Sequence, residues 1–285
     1  MDNIKIYQTK YLVSGNILEQ FVYEHDQFKG FKAKNKSGKN RNGVFSDFNK
    51  KNVLSRARKK IIRLINANPD LNKFLTLTFK ENITDLDIAN YEFKKFINRI
   101  NYHFFNTKKR LFKYVAVIEF QDGKSYLDSD GILQNGLARG VIHYHIICNM
   151  PYLSLDELNL LAEKWGHGFI RINKIKGSDN DNISIDCDNV GAYVTKYMTK
   201  DNGDSRLKER KSYLFSRNLN KPIEIFINYD EVDYIEKQYN LPEPVNAYFS
   251  DSSDYSYSYS SEYTGAVIVN QYNLKRRLSF KYKWT

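Results

Sequence analysis

Two histidines stand one residue apart in the apolar run 141–149, Val-Ile-His143-Tyr-His145-Ile-Ile-Cys-Asn. A run of this length and composition reads as a β-strand. A strand turns residues i and i+2 to the same face, with Cα atoms about 6.6 Å apart. Both imidazoles then point the same way and can hold one ion, although alternating histidines also occur as plain packing. A carboxylate is at hand. Glu119 lies near the end of the strand-like segment 111–120, LFKYVAVIEF, which should pair with 141–149 through a hairpin. Adjacent antiparallel strands bring opposed residues within about 5 Å. Glu119, His143 and His145 together would leave coordination positions open for water and a substrate phosphate. Oxygen and imidazole donors without thiolate favour Mg²⁺ or Mn²⁺, with zinc as a further option. Taken by itself, Glu119 reads equally well as half of a surface ion pair. His25, His103 and His167 have no such partners, and His167, in Gly-His-Gly, reads as a turn residue.

A second constellation is Tyr193-Val-Thr-Lys196-Tyr197-Met-Thr-Lys200. On a helix Tyr193 and Tyr197 share a face, and Lys196 and Lys200 follow them at i+3. Tyrosine is a weak nucleophile at neutral pH, because its pKa is near 10 and only about 0.1% ionises. A nearby metal or lysine would stabilise the phenolate or the developing charge. The same spacing also suits an amphipathic helix with Tyr in the core and Lys in solvent. Joined to the two-histidine strand and its carboxylate, it forms one reaction design. A metal polarises a scissile phosphate, a tyrosine attacks, and a 3′-hydroxyl leaves.

These groups need a frame, and the frame reads as an α+β domain. Residues 1–28 suggest one or two short strands, and 73–79, KFLTLTF, a further one. Thr84 or Asp85 can cap a helix over 85–106, whose apolar positions Ile88, Tyr91, Phe96, Ile97, Ile100 and Phe104 follow a helical period. Residues 121–138, rich in Gly, Asp and Ser, read as a hairpin excursion between 111–120 and 141–149. Ser154 and Glu157 form a capping box for a helix that stops at Gly166, and 168–176 follows as a strand. A polar loop, 178–188, leads to a helix over 189–200 that carries the two tyrosines. The order β-α-β-β-α-β-α predicts a central antiparallel sheet with helices on one face, a ferredoxin-like arrangement. In 250–264, SDSSDYSYSYSSEYT, the composition suits a linker, but the alternation suits a strand pairing with the following GAVIVNQY. The expected organisation is 1–66, N-terminal strands with a basic arm and helix; 67–230, the domain carrying the chemistry; and 231–285, a C-terminal extension with a basic end.

The basic charge is local. Of 44 Lys and Arg against 33 acidic residues, 13 fall in 29–63, with Asp47 the one acid there. The segment KGFKAKNKSGKNRNG reads as an arm without a hydrophobic period. It runs into a helix with Val53, Leu54, Ala57, Ile61 and Leu64 on one side and Arg56, Lys59, Lys60 and Arg63 on the other. A solvated charged helix accounts for this pattern. So does a phosphate-binding arm, with Lys50, Lys51, Arg56, Arg58, Lys59, Lys60 and Arg63 as the DNA-contacting set, since clustered cations gain affinity by releasing counterions.

Three segments give the chain a family resemblance. FLTLTF (74–79), HYHIICN (143–149) and AYVTKYMTK (192–200) resemble the motifs of the HUH-endonuclease family, in particular the rolling-circle replication initiators of small plasmids and single-stranded DNA phages, in the two-tyrosine form. The resemblance implies the HUH nuclease fold. It implies that His143, His145 and Glu119 hold a divalent metal, Mg²⁺ or Mn²⁺, that Tyr193 and Tyr197 are nucleophiles, and that Lys196 and Lys200 assist them. It implies nicking of one origin strand, single-stranded or in a hairpin, through a 5′-phosphotyrosine link that leaves a 3′-hydroxyl primer. The stretch between Glu119 and His143 is unusually long for the family. No G-x-x-x-x-G-K-[ST] phosphate loop is present, so a host helicase as well as a host polymerase is the expected partner.

Two other function classes fit parts of the pattern. A transposase or conjugative relaxase would share the chemistry and differ in tyrosine number or in a third histidine. A non-catalytic nucleic-acid-binding protein on an RRM-like sheet would need exposed RNP-type aromatics, and FLTLTF lacks the RNP pattern. Composition narrows the field further. The N-terminus has no apolar signal core, no apolar run reaches the roughly 18–20 residues of a membrane span, and the two cysteines lie in no CxxC or Cys/His spacing. A cytoplasmic location in a bacterial host is the corresponding expectation.

Overall fold

The computed structural model describes residues 4–30, 47–105, 111–121, 123, 125–127, 133–135, 140–175, 205–207, 210–211, 213–228 and 253–274. The chain runs β1 (Lys5–Ser14), β2 (Ile17–Lys29), α1 (Asp47–Asn66), β3 (Lys73–Leu77), α2 (Leu86–Phe104), β4 (Tyr114–Gln121), β5 (Ser125–Leu127) and β6 (Leu133–Asn135). It continues through β7 (Val141–Cys148), α3 (Leu155–Trp165), β8 (Ile170–Lys174), β9 (Tyr213–Phe215), β10 (Ile223–Ile227), β11 (Tyr255–Ser261) and β12 (Gly265–Asn273). Packing groups it into two units, residues 1–44 with 221–285, and residues 45–220. The boundary expected after residue 66 falls inside the second unit, because α1 buries Ile61 and Ile65 in a cluster with Phe74, Val115 and Ile147.

The second unit is built on an antiparallel sheet in the order β8-β3-β7-β4-β9. Its first four strands, with α2 between β3 and β4 and α3 between β7 and β8, have the ferredoxin-like order expected from the β-α-β-β-α-β pattern. Pleating divides each strand. Leu75, Leu77, Ala116, Ile118, Tyr144 and Ile146 turn to one face and pack under Phe93, Phe96 and Ile100 of α2 and Leu161 and Trp165 of α3. The opposite face carries Phe74, Val115, Val117 and Ile147, and part of it is covered by α1. The expected excursion between β4 and β7 contains the short antiparallel ribbon β5-β6.

Local chemistry fixes the helix ends. The Asp85 side chain accepts from the N–H groups of Asp87 and Ile88, so Asp85 caps α2. Ser154 and Glu157 exchange hydrogen bonds in a capping box, and Gly166, at φ 69°, closes α3 in the left-handed conformation. In α1 the periodicity is shifted from the sequence reading. Val53 is exposed, while Ile61, Leu64 and Ile65 are buried, so the second half of the helix alone meets the sheet.

His167 is more than a turn residue. Its Nε2 lies 3.0 Å from Glu92 Oε2 on α2. Around it the chain docks on the end of β3: Lys80 N–H donates to the His167 carbonyl at 2.7 Å, and Trp165 Nε1–H to the Thr78 carbonyl at 2.9 Å. This diversion of the Thr78 carbonyl is why β3 ends at Leu77 rather than at Phe79. Gly168 has no room for a side chain, since a Cβ would stand 2.7 Å from Lys80 N and closer still to Thr78 O. Both are backbone atoms, which cannot swing away. Gly168→Ala is expected to destabilise this unit by about 1–3 kcal/mol, read as a lower urea midpoint at unchanged slope.

The first unit is a second antiparallel sheet, in the order β10-β1-β2-β12-β11. The Ser/Tyr repeat is strand β11, paired with β12 from Tyr255↔Gln271 to Ser261↔Gly265. Alternation puts Tyr255, Tyr257 and Tyr259 on one face, with successive ring centroids 5.7 and 6.4 Å apart. Among the described residues no helix is long and apolar enough to cross a membrane.

Candidate functional site

The site face of the second sheet can be read strand by strand. On β7, His143 and His145 share a face with Ile147, away from α2 and α3. On β4, Glu119 stands opposite His143 and Val117 opposite His145. On β3, Thr76 stands opposite His145, and on β8 Arg171 stands opposite Thr76. The hairpin pairing of 111–120 with 141–149 thus sets the two histidines and the carboxylate side by side.

His145 is the centre of this group. Only 7% of it is exposed. Its Nε2 contacts Glu119 Oε2 directly. Its Nδ1 lies 3.4 Å from the Thr76 hydroxyl, and its ring stacks on Phe74, centroids 5.8 Å apart and planes 20° from parallel. The imidazole is therefore held on both edges and one face. A hydroxyl can donate to Nδ1 or accept from it, so the tautomer can follow whatever Nε2 binds. His143 is half-buried one register position along. Among the described residues no three His, Cys, Asp or Glu side chains gather into one cluster; the direct contact is between Glu119 and His145. Thr76 and Phe74 are positioning residues that the sequence reading does not single out.

The other face of β7 is a plain core. Tyr144, between the two histidines, is fully buried, stacks on Phe93 at 4.5 Å and donates to Asn90 Oδ1 at 2.9 Å. Burial pushes its hydroxyl far above the ordinary tyrosine range, which removes it as a nucleophile. Cys148 faces the same way, its thiol pushed up to about 12 by burial. No thiolate therefore joins the Glu119 and histidine donors, and that donor set fits an oxygen- and imidazole-binding divalent ion. Tyr144→Phe is expected to cost about 1 kcal/mol of stability through the lost hydrogen bond, measured by thermal unfolding, and to leave any DNA activity unchanged.

The basic helix belongs to the same face. Ile61 and Ile65 of α1 pack with Phe74 and Val117, the neighbours of His145. Arg56, Lys59 and Lys60 are exposed, and Arg58 and Arg63 half-buried. Lys60 Nζ sits 5.7 Å from the centroid of the Phe215 ring on β9. Lys50 and Lys51 lie in the first turns of α1, with side chains outside the described residues. Tyr193, Lys196, Tyr197 and Lys200, and the helix expected over 189–200, also lie outside them.

Comparison with known proteins gives one match. The sequence model of a family described as Replication-associated protein, of the ORF2 type, matches residues 72–202, somewhat less than half of the chain. That stretch runs from β3 through β8 and on past Lys200. Comparison with curated proteins and with solved structures finds no match. The similarity supports a role in DNA replication, as a protein of the replication-initiator type.

Proposed function

We propose that this chain initiates rolling-circle replication by nicking and rejoining one DNA strand. The observation that carries the reading is the contact of Glu119 with His145, with His143 beside them on one sheet face, inside the segment that resembles replication-associated proteins. A divalent ion, Mg²⁺ or Mn²⁺, held by Glu119, His143 and His145, would neutralise and orient the scissile phosphate. Thr76 and Phe74 keep the His145 ring in place for that role. The hydroxyl of Tyr193 or Tyr197 attacks phosphorus, and the bond from phosphorus to the 3′-oxygen breaks. The phenolic proton is lost, the 3′-oxygen takes one up, and the 5′-phosphate remains on the tyrosine. Lys196 and Lys200 stabilise the phenolate. The second tyrosine permits a second transfer when the round closes. Arg56, Lys59 and Lys60 on α1 offer phosphate contacts beside the site. A host helicase would open the duplex and a host polymerase would extend the 3′-hydroxyl.

The test is a nicking assay. Labelled single-stranded DNA from the origin of the chain's own replicon is incubated with the protein and Mg²⁺ or Mn²⁺, then with EDTA. The expected result is a covalent protein–DNA band that EDTA abolishes. No covalent species with any origin strand or either metal would overturn the reading.

A further inference from the structure

The edge strand beside the histidines carries two side chains that the nicking chemistry leaves unused. Phe169, immediately before β8, is 82% exposed. Its backbone is nonetheless fixed: its N–H donates to Thr78 Oγ1 at 3.0 Å, and its carbonyl accepts from Thr78 N–H at 3.0 Å. Gly168 before it is pressed against the backbone of Thr78 and Lys80. An exposed aromatic on a held backbone loses little freedom when something stacks on it. Two residues on, Arg171 is exposed and stands opposite Thr76, which touches His145. Alternation along the strand puts Phe169 and Arg171 on the face that carries His143 and His145. None of the ion pairs formed among the described residues involves Arg171.

We propose that Phe169 and Arg171 form a docking point for single-stranded DNA at the rim of the histidine site, a base stacking on the Phe169 ring and an adjacent phosphate meeting Arg171. The proposal rests on the nicking reading for the nature of the ligand. A single strand presents an unpaired base face next to an anion in every nucleotide. A ring and a guanidinium about 6.6 Å apart on one strand face match that alternation. A duplex hides its base faces and could use only the arginine. The surface would therefore select unpaired DNA next to the reacting phosphate and fix the register of the strand over the histidines. A protein partner would bury Phe169 but has no matching use for the cation beside it.

Binding of fluorescein-labelled poly-dT to the full chain, followed by anisotropy in EDTA, tests this without any cleavage step. Phe169→Ala is expected to weaken binding about five- to a hundredfold, the range for loss of one stacked base. Phe169→Trp should bind at least as tightly as the wild type, which a merely structural role would not produce. Arg171→Gln should weaken binding and lower the slope of log affinity against log salt by about 0.7. Both side chains lie on the surface, so unfolding temperatures should not move. Unchanged affinity in both Phe169→Ala and Arg171→Gln overturns the proposal, including the case in which a protein partner is the true occupant. A wild-type chain that forms no covalent adduct, but whose poly-dT binding falls in these variants, upholds the docking point and overturns the nicking reading. A chain that forms the adduct and whose variants bind normally does the reverse.

Discussion

A chain with both Tyr193→Phe and Tyr197→Phe is expected to form no covalent DNA adduct, with nicking reduced about 10³-fold or more while oligonucleotide affinity stays near the wild-type value. Phe keeps the ring and removes the attacking oxygen, so the change is confined to the chemical step. Effects of groups that act as one unit are not additive, and the two singles rank the tyrosines. If one tyrosine cuts and the other closes the round, the first single variant loses the initial adduct. The second keeps the adduct and fails to release a joined product. If either can cut, each single keeps the adduct and only the double loses it. A covalent band that survives in the double variant, at any pH between about 6 and 9, would remove both residues from the reaction. Tyr144 is an internal control for that experiment. It lies between the two histidines in sequence but on the other side of the sheet, hydrogen-bonded to Asn90, so Tyr144→Phe should leave the band intact.

What can be read in the sequence is set by local physics. A two-residue period places Glu119, His143 and His145 on one face once a hairpin joins their strands, and both conditions are local to 111–149. The capping box of Ser154 and Glu157 and the Asp85 cap fix the starts of α3 and α2 in the same way. The Ser/Tyr repeat is legible as a strand because its partner follows within a few residues. What escapes the sequence depends on distant pairing. Thr76 reaches His145 only because β3 pairs with β7 across 69 residues, and nothing in FLTLTF announces that register. β12 pairs with β2 from the far end of the chain, which joins the expected N- and C-terminal extensions in one sheet. In α1 the apolar spacing begins at Val53, yet the sheet is met only from Ile61, and no periodicity tells which turns of a helix have something to pack against. His167 reads as a turn residue because its partner, Glu92, lies on a helix 75 residues earlier.

Changing Glu119 to Gln is expected to raise the metal concentration needed for half-maximal nicking about 10- to 100-fold, with part of the lost rate regained at high Mn²⁺. The substitution keeps the size of the side chain and its ability to hydrogen-bond His145 Nε2, so the sheet should fold as before. It removes the negative charge, which is the part of the donor set that a hard cation needs most. A readout independent of turnover is available. A ligand at about a hundred times its dissociation constant stabilises the state that binds it by about 2.7 kcal/mol. Mn²⁺ should therefore raise the unfolding temperature of the wild type and shift Glu119→Gln much less. His145→Ala should abolish the shift, and it also opens a space against Phe74, so its own stability falls without metal. Thr76→Val should act between these extremes: the hydroxyl that fixes the His145 ring is lost while every donor remains. The order of effects, His145→Ala above Glu119→Gln above Thr76→Val, separates a metal site from a simple ion pair. In an ion pair, Thr76 would matter little, and removing either Glu119 or His145 would have the same consequence. A Glu119→Gln chain whose metal requirement and Mn²⁺-induced shift both match the wild type would leave the Glu119–His145 contact as a structural pair, and the metal would have to be held elsewhere.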